Sequence, residues 1–254
     1  MRSARQLHHA VSALLLLLLL SSVVPADRAQ QEIDDESEFS YIRGAKNGPE
    51  NWGTFKEEWA TCGTGQMQSP IDLSDRRASP SPDLGYLNHS YVPADASIVN
   101  RGHDIAVMFH GDAGSLSIDG TAYHLRQVHW HAPSEHRVNG RRYSLELHMV
   151  HLSAQNKTAV IGLLYKIGRR DHFLHKLEPY LMRMADMKEK EEKVGLVDPG
   201  EVATVSTDQL KLLTDAVHDG FEMNARPLQK VNDRDIRFFC PDDDHERYDA
   251  AADH

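Results

Sequence analysis

The chain has 254 residues, of which 40% are hydrophobic and 26% are charged, and its formal net charge is −10. This length and composition are typical of a globular protein with one domain of ordinary to large size. The negative charge argues against a nucleic-acid partner, because such partners are recognised by a basic face. Net charge says nothing about the fold, which has to be read from the order of the residues.

The first 26 residues have the pattern of a secretory signal peptide. Arg2 and Arg5 form a basic start, an apolar run covers residues 10–20, and Val-Pro-Ala at 24–26 resembles a small-residue cleavage site. The run is short for a transmembrane helix, although a signal anchor that stays in the membrane is the alternative. Since no second long apolar run follows, we predict a soluble mature protein without a membrane partner. Residues 27–38 are polar and acidic and are predicted to be a disordered lead-in.

Two further features fit the secretory route. Asn88 and Asn156 each begin an Asn-X-Ser/Thr motif, which is the acceptor of N-linked glycosylation. Cys62 and Cys240 are the only cysteines, so an oxidising compartment could form at most one disulfide in this chain.

The centre of the chain, residues 97–160, is predicted to form successive strands of a mostly antiparallel sheet. Short apolar stretches with strand-like composition are separated by Gly and Asp/Asn turns, such as those at 119–120 and 139–140. The clearest stretches are 105–109, 116–118, 125–131, 145–152 and 159–167.

The sequence then changes to a helical pattern. Apolar residues such as Phe173, Leu177 and Leu181 recur at helical spacing and predict a helix over residues 171–193, with Pro179 as a kink or boundary. The charge run at 189–193 is interpreted as a solvated face. A second, short helix is predicted to start near Ser206, which begins a good capping sequence. Residues 239–254 are acidic and poor in apolar residues and are predicted to be a disordered tail.

Three histidines in this central region predict a metal site. His129 and His131 are separated by one residue, so they point to the same face only if the segment is a strand; on a helix they would diverge by roughly 200°. His148 lies on the next predicted strand. A His-X-His pair with one further His is the ligand set of a catalytic zinc that keeps its fourth position open. The alternative is a set of surface histidines on an exposed sheet face, since the chain has 16 histidines.

Two polar residues have a matching position on these strands. Gln127 and Glu146 each precede a candidate ligand by two residues and therefore share its face. Either side chain could accept a ring N–H and orient the imidazole from behind.

Several motifs resemble those of the α-class carbonic anhydrases, in particular secreted plant members. The main ones are Gln-Val-His-Trp-His-Ala-Pro-Ser-Glu-His at 127–136 and Tyr-Ser-Leu-Glu-Leu-His-Met-Val-His at 143–151. Shorter matches occur at 47–52, 68–72, 100–103, 159–162 and 223–227, so the resemblance covers about residues 39–232. It implies a single domain over residues 39–238, mainly β with peripheral helices around a central, mostly antiparallel twisted sheet.

The resemblance also implies a cofactor, a reaction and a compartment. Zn²⁺ would be held by His129, His131 and His148 at the base of a cone-shaped cleft, with Asn224 among the groups that support the ligands. A zinc-bound hydroxide would attack carbon dioxide, and water would then displace the bicarbonate. The small-molecule partners are thus carbon dioxide and bicarbonate. Secretion into the apoplast is expected, with a plastid reached through the secretory route as the alternative.

Further residues match the family by position. His103 matches the proton shuttle, Glu135 the buried glutamate that accepts a hydrogen bond in the active site, and Tyr41 the tyrosine that helps hold the water chain of the cleft. Val150 and Val160 match the apolar wall beside which carbon dioxide lies. Without the resemblance, His103 would be interpreted as an exposed histidine after a turn, Glu135 as a surface-loop residue and the valines as core.

One departure from the family is large. The family carries a Ser-Leu-Thr-Thr-Pro-Pro segment before its late helix, and this chain lacks that segment near 199–204. The first threonine of the segment normally hydrogen-bonds the zinc hydroxide and the glutamate at position 135; Thr204 and Thr207 lie nearby in sequence. The segment also supplies strands, so its loss predicts an unpaired edge or a new pairing. It further contains the usual partner of Cys62, which leaves Cys240 as the alternative.

Two function classes therefore remain. The first is a zinc lyase that hydrates carbon dioxide, supported by the intact ligand set. The second is a non-catalytic relative, a binding or storage protein on the same fold, supported by the missing threonine. A zinc esterase is a weaker third reading, because it would need a roomier pocket that the sequence does not indicate.

Overall fold

The structure is a computed structural model that describes residues 14–17, 39–184, 191–197, 204–217 and 220–239. The predicted lead-in at 27–38, residues 240–254 of the predicted tail and most of the predicted signal peptide lie outside the described residues. Cys240 lies outside them as well.

The described strands are numbered in chain order. They are β1 Leu14–Leu17, β2 Asp72–Leu73, β3 Ala78–Pro80, β4 Asn88–His89, β5 Ala94–Asn100, β6 Ile105–His110, β7 Ser115–Ile118, β8 Thr121–His131, β9 Arg137–Val138, β10 Arg141–Arg142, β11 Leu145–Ser153, β12 Thr158–Ile167, β13 Glu191–Val197, β14 Thr204–Val205 and β15 Ile236–Phe238. The α-helices are α1 Trp52–Phe55, α2 Thr61–Thr64, α3 His172–Met184 and α4 Thr207–Ala216, and short 3-10 turns cover Glu57–Trp59 and Pro82–Leu84.

The main sheet runs in the order β1-β12-β11-β8-β6-β5-β13, and every neighbouring pair along this path is antiparallel. Strands β7 and β4 extend it beside β8, and the two-residue β14 pairs with β12 in parallel. The predicted mainly β fold with a mostly antiparallel central sheet is therefore confirmed, as are strands at each of the five predicted stretches.

The two faces of the sheet have different roles. On β8, Val128 and Trp130 point into the hydrophobic core, where the Trp130 ring stacks on Phe173 of α3 with 5.8 Å between centroids. Leu147 and Met149 of β11 belong to the same core. Burying such a side chain contributes about 1.5–3 kcal/mol, so the core face holds each strand in its position. The alternate residues of β8 and β11 consequently face the opposite side of the sheet.

The predicted helix over 171–193 is wrong in its second half. Helix α3 ends at Met184, and Glu191–Val197 forms strand β13, which pairs with β5 from Ala94 to Val99. The local sequence pattern predicted a helix. Residues 191–197 instead form a strand because they pair with the edge of β5, and a distant partner of this kind cannot be predicted from local sequence. Pro179 does not end the helix either. It lies on the exposed side of α3, where water can satisfy the carbonyl group that loses its helical hydrogen bond.

The predicted start of the second helix is confirmed by a capping box. The Ser206 hydroxyl accepts the Gln209 backbone N–H, and the Gln209 side chain accepts the Ser206 N–H. The buried Gln209 side chain also bonds both the N–H and the carbonyl of Asp171 at distances of 2.7 and 2.8 Å. This pair of bonds joins the start of α4 to the start of α3.

Strand β12 has an unusual outer edge. Leu14–Leu17 pairs with Val160–Leu163, and Thr204–Val205 pairs with Lys166–Ile167. The sequence predicted an unpaired edge or a new pairing where the missing segment would contribute strands, and a new pairing is what the structure contains. Because β1 belongs to the predicted signal peptide, removal of that peptide would take away the partner of residues 160–163.

Candidate metal centre

The pairing of β8 with β11 brings the three predicted metal ligands together. His148 lies directly opposite His129 in the antiparallel register, and His131 lies on the same face of β8 two residues further on. The ring centroids are 5.1 Å apart for His129 and His131, 5.1 Å for His129 and His148, and 4.7 Å for His131 and His148. The strand-face argument from the sequence therefore describes the observed geometry.

Each of the three rings is held from behind by one acceptor. The Nδ1 atom of His129 lies 3.0 Å from Gln127 Oε1, and the Nε2 atom of His148 lies 2.8 Å from Glu146 Oε1. The Nδ1 atom of His131 lies 2.8 Å from the backbone oxygen of Asn224. A ring that donates from one nitrogen keeps a lone pair on the other. Three lone pairs remain for a metal, on His129 Nε2, His131 Nε2 and His148 Nδ1.

This donor set fits zinc. The ligand atoms of His129, His131 and His148 all lie within 4.8 Å of one another. Three imidazoles with backing acceptors are the arrangement of a catalytic zinc site, in which a fourth position stays open. The three residues could therefore hold one zinc ion without a change of strand register.

The charges around the site follow from burial and from Glu146. Burial lowers the pKa of His129 well below its ordinary value, which keeps that ring neutral, as a ligand must be. Burial alone would also lower the pKa of His148, but the Glu146 carboxylate raises it. Glu146 is only 1% exposed, and although burial opposes its ionisation, His148 and His136 hold the pKa of its carboxyl well below the usual range.

His136 is a functional residue that the sequence analysis missed. Its backbone N–H and its Nδ1 atom lie 2.8 and 2.7 Å from the two oxygens of Glu146. It therefore fixes the carboxylate that in turn orients His148. His136 is the last residue of the motif at 127–136, so the sequence could have indicated it. It was not singled out because it follows the strand and does not share a strand face with the predicted ligands.

His103 lies inside an aromatic cluster. It is 8% exposed, and its ring centroid is 5.3 Å from that of Phe39 and 6.3 Å from that of Phe221. Its Nδ1 atom has no hydrogen-bond partner among the residues that the structure describes, and its Nε2 atom lies 3.8 Å from Asp104. Burial lowers the pKa of its imidazole, while Asp104 acts in the opposite direction. The reading of His103 as an ordinary exposed histidine is thus inconsistent with the structure.

Glu135 and Tyr41 lie close to the same centre. The Oε1 atom of Glu135 accepts the backbone N–H of Arg226 at 2.9 Å and lies 3.8 Å from His131 Nδ1. Tyr41 packs edge-on against Trp52 with 5.3 Å between centroids. Burial, and then the charge of Glu135, raise the pKa of Tyr41 well above its ordinary value, so its hydroxyl stays protonated.

The predicted apolar wall is present in part. Val150 and Val160 are directly opposite each other on β11 and β12. Val160 lines a small cavity of about 30 Å³ together with His148, Gly162 and Leu164. Val150 is buried and does not line that cavity.

Neither nearby threonine takes the place of the missing one. The Thr204 hydroxyl donates to the backbone oxygen of Arg169. Strand β14, which contains Thr204, pairs with Lys166–Ile167 at the end of β12 opposite to Val160. Thr207 is exposed in the first turn of α4. Within the described part of the chain, the Glu135 carboxylate accepts a hydrogen bond from the backbone N–H of Arg226 and none from a threonine hydroxyl.

The remaining predicted positions lie away from the centre. Cys62 carries a free thiol, and Asn88 and Asn156 are exposed. Among the described residues, no helix is both long and apolar enough to cross a membrane.

Comparison with known proteins gives the family. Residues 47–210, more than half of the chain, match the sequence profile of the eukaryotic-type carbonic anhydrases. The chain belongs to the alpha carbonic anhydrase family. It is 42% identical over 260 residues to Alpha carbonic anhydrase 7 of Arabidopsis thaliana, covering 90% of this chain and 94% of that protein. It is equally similar, at 42% over 259 residues, to Dioscorin DB3S of Dioscorea polystachya, covering 90% and 95%.

Solved structures agree. A crystal structure of dioscorin complexed with ascorbate has a TM-score of 0.76 and 42% identity, covering 78% of this chain and 96% of that one. The alpha carbonic anhydrase from Thermovibrio ammonificans, in complex with sulfanilamide, has a TM-score of 0.69 and 28% identity, covering 79% and 98%. The alignment with the Arabidopsis thaliana protein has 260 positions but takes in about 229 residues of this chain, so ~30 positions have no counterpart here. That shortfall supports the internal gap inferred from the motifs.

We expect His148→Ala to abolish zinc binding, because two histidines rarely hold a structural or catalytic zinc. Zinc per chain, measured by inductively coupled plasma mass spectrometry after dialysis, should fall from one to near zero. His124→Ala is the matched control, since His124 lies on β8 but its side chain is 44% exposed and outside the cluster. Undiminished zinc in His148→Ala, or an equal loss in His124→Ala, would refute the ligand assignment.

Proposed function

We propose that this chain binds one zinc ion and catalyses the reversible hydration of carbon dioxide to bicarbonate and a proton. The observation that carries the proposal is the convergence of three imidazole lone pairs within 4.8 Å, each ring being backed by its own acceptor. Membership of the alpha carbonic anhydrase family supports it.

The zinc would be held by His129, His131 and His148. When bound, it would supply a Lewis acid that ionises a water near neutral pH; the usual figure of about 7 for that pKa comes from carbonic anhydrase itself and was not obtained from this chain. The acceptors behind the ligands, two side chains and the backbone oxygen of Asn224, hold the rings in the required tautomers and orientations.

The other residues of the cleft have separate tasks. Val160 offers an apolar surface beside His148, where a small neutral substrate such as carbon dioxide loses little by leaving water. His103 has an Nδ1 atom without a partner among the described residues, and burial lowers the pKa of its imidazole, so a proton taken up there would be readily released, as a shuttle requires. Tyr41, held protonated, can donate a hydrogen bond within the cleft.

The weak point of the proposed catalyst is the missing threonine. In the family, as the resemblance implies, that hydroxyl aims the nucleophile and passes its proton toward the glutamate at position 135. Here Glu135 is held by the backbone of Arg226, with no hydroxyl bonded to it among the described residues. This favours a second candidate function, a non-catalytic binding or storage protein, and the equal similarity to dioscorin and to Alpha carbonic anhydrase 7 is compatible with it.

Zinc content and turnover, measured on the same sample, separate the two functions. For the proposed enzyme we expect one zinc per chain and stopped-flow hydration of carbon dioxide that sulfanilamide inhibits. The control is His131→Ala, which should lose both zinc and turnover. One bound zinc without turnover above that control would contradict catalysis by this chain and favour the binding or storage function.

We further predict that inserting a Ser-Leu-Thr-Thr-Pro-Pro segment between Pro199 and Thr204 raises the hydration rate constant by about 10² or more. Positioned groups that stabilise the transition state are typically worth that much. The rate is measured by stopped flow on zinc-loaded, folded protein.

The matched control for this insertion carries alanine in place of the first threonine and has the same length. If both insertions raise the rate equally, the gain comes from repair of the sheet and not from the hydroxyl. No gain in either would show that the gap does not limit activity.

We also propose that the chain enters the secretory pathway, with the apoplast as its destination and a plastid reached by that route as the alternative. The N-terminal pattern and the exposure of both acceptor asparagines, Asn88 and Asn156, support this. N-terminal sequencing of the protein from plant cells should give Asp27 as the first residue, and deglycosylation should reduce its mass. A retained residue 1 with no change in mass would contradict secretory processing.

A further inference from the structure

The β9–β10 hairpin sets two arginines directly opposite each other. Arg137 of β9 is the register partner of Arg142 of β10, and the two-residue turn between the strands is Asn139–Gly140, with φ values of 50° and 77°. Both residues of a type I′ turn require positive φ, and this turn fixes the register of the hairpin. Directly opposed residues of an antiparallel pair project to the same face, and like charges in that position destabilise the pairing. The hairpin thus concentrates positive charge on one face.

No carboxylate among the described residues forms an ion pair with either arginine. Asp72 is the register partner of Arg137 on the neighbouring β2, but its Oδ1 atom accepts the backbone N–H of Gly140 at 2.9 Å. Within the described part of the chain, neither Arg137 nor Arg142 has a carboxylate oxygen within 4 Å.

The two acids that act on Arg142 from nearby are already engaged. Glu135 accepts the backbone N–H of Arg226, and Glu146 is bonded to both His136 and His148. Both carboxylates act on Arg142 through space, but neither forms an ion pair with it.

Most of the donors of the pair are available. Each guanidinium carries five N–H groups. The Nε atom of Arg142 donates to the backbone oxygen of the fully buried Ser134 at 2.7 Å, which fixes the position of that side chain. The Nε atom of Arg137 is buried and has no partner among the described residues, which leaves its terminal NH₂ groups as the donors that a ligand could reach.

A third positive charge acts on the same place. Partial burial and then the charge of Arg137 lower the pKa of Arg142, and Arg43 lowers it further, while Glu135 acts in the opposite direction. Arg43 lies in the exposed loop at 41–48 and has no ion pair among the described residues.

We propose that Arg137 and Arg142 form a binding site for a small oxyanion, the class of inorganic phosphate and sulfate. The planar guanidinium fork matches the oxygen edges of such anions, and two forks on one face can contact one anion together. The anion would also relieve the repulsion between the two opposed charges of the hairpin. The site does not include the zinc ligands. Its Arg142 side chain is held by the backbone oxygen of Ser134, the residue before Glu135.

The probe is inorganic phosphate, added to the full-length, zinc-loaded protein at constant ionic strength set with sodium chloride. The Nε–Hε resonances of the arginines are followed by ¹H–¹⁵N NMR. We expect saturable shifts of Arg137 and Arg142 that share one dissociation constant. Arg137→Gln and Arg142→Gln should each weaken binding by about tenfold or more, as expected for the loss of a charge-assisted fork. Arg142→Lys should weaken it as well, because an ammonium keeps the charge but not the fork.

Arg141→Gln is the matched control. Arg141 lies on the same hairpin and carries the same charge, but it is paired with Val138 and its guanidinium lies over the Tyr143 ring at 5.3 Å. That variant should change phosphate affinity by less than about twofold, as expected for screened surface charge. Equal weakening by Arg141→Gln and Arg137→Gln would overturn the proposal in favour of general electrostatic attraction.

Two further results would overturn it. One is the absence of saturable shifts at Arg137 and Arg142 in the unmodified chain. The other is phosphate binding that Arg137→Gln and Arg142→Gln leave unchanged, which would assign the anion to the zinc. The first result remains available if a variant fails to fold, because the unmodified protein reports on the individual resonances.

Discussion

The antiparallel register of β8 and β11 is the constraint on which the metal centre depends. It places His148 opposite His129 while Trp130 and Leu147 point into the core. A slip of one residue would turn His148 toward α3 and expose the buried side chains, because the side-chain period of a strand is two. Hydrophobic burial on one face therefore fixes the positions of the imidazoles on the other.

The metal cradle and the group that aims the reaction are separable in this chain. The acceptors behind the three rings come from β8, from β11 and from the backbone of Asn224, whose side chain is itself bonded to the carbonyl oxygens of His103 and Trp130. None of them belongs to the missing segment. Strand β11, which contains His148, lies between β8 and β12. The new pairing is on the other edge of β12, where β1 lies. The groups that hold the cradle are therefore all present in a chain without the segment.

The parts of this arrangement that the sequence predicts are those set by local periodicity. Strand alternation places Gln127, His129 and His131 on one face, and a Ser-X-X-Gln sequence caps α4. Both features can be predicted because they depend only on residues a few positions apart. Non-local pairing decides the rest. Residues 191–197 follow the edge of β5 and not their own charge pattern, and Leu14–Leu17 pairs with β12 across more than 140 positions. The burial of His103 and the anchoring role of His136 likewise depend on residues that are distant in sequence or on another face.

The most direct test of the zinc cradle is zinc K-edge X-ray absorption on the full-length chain loaded with one equivalent of zinc. The arrangement predicts a four-coordinate ion with three imidazole nitrogens and one further light atom at about 2.0–2.1 Å. A six-coordinate shell of light atoms, or a sulfur at about 2.3 Å from a cysteine, would contradict it.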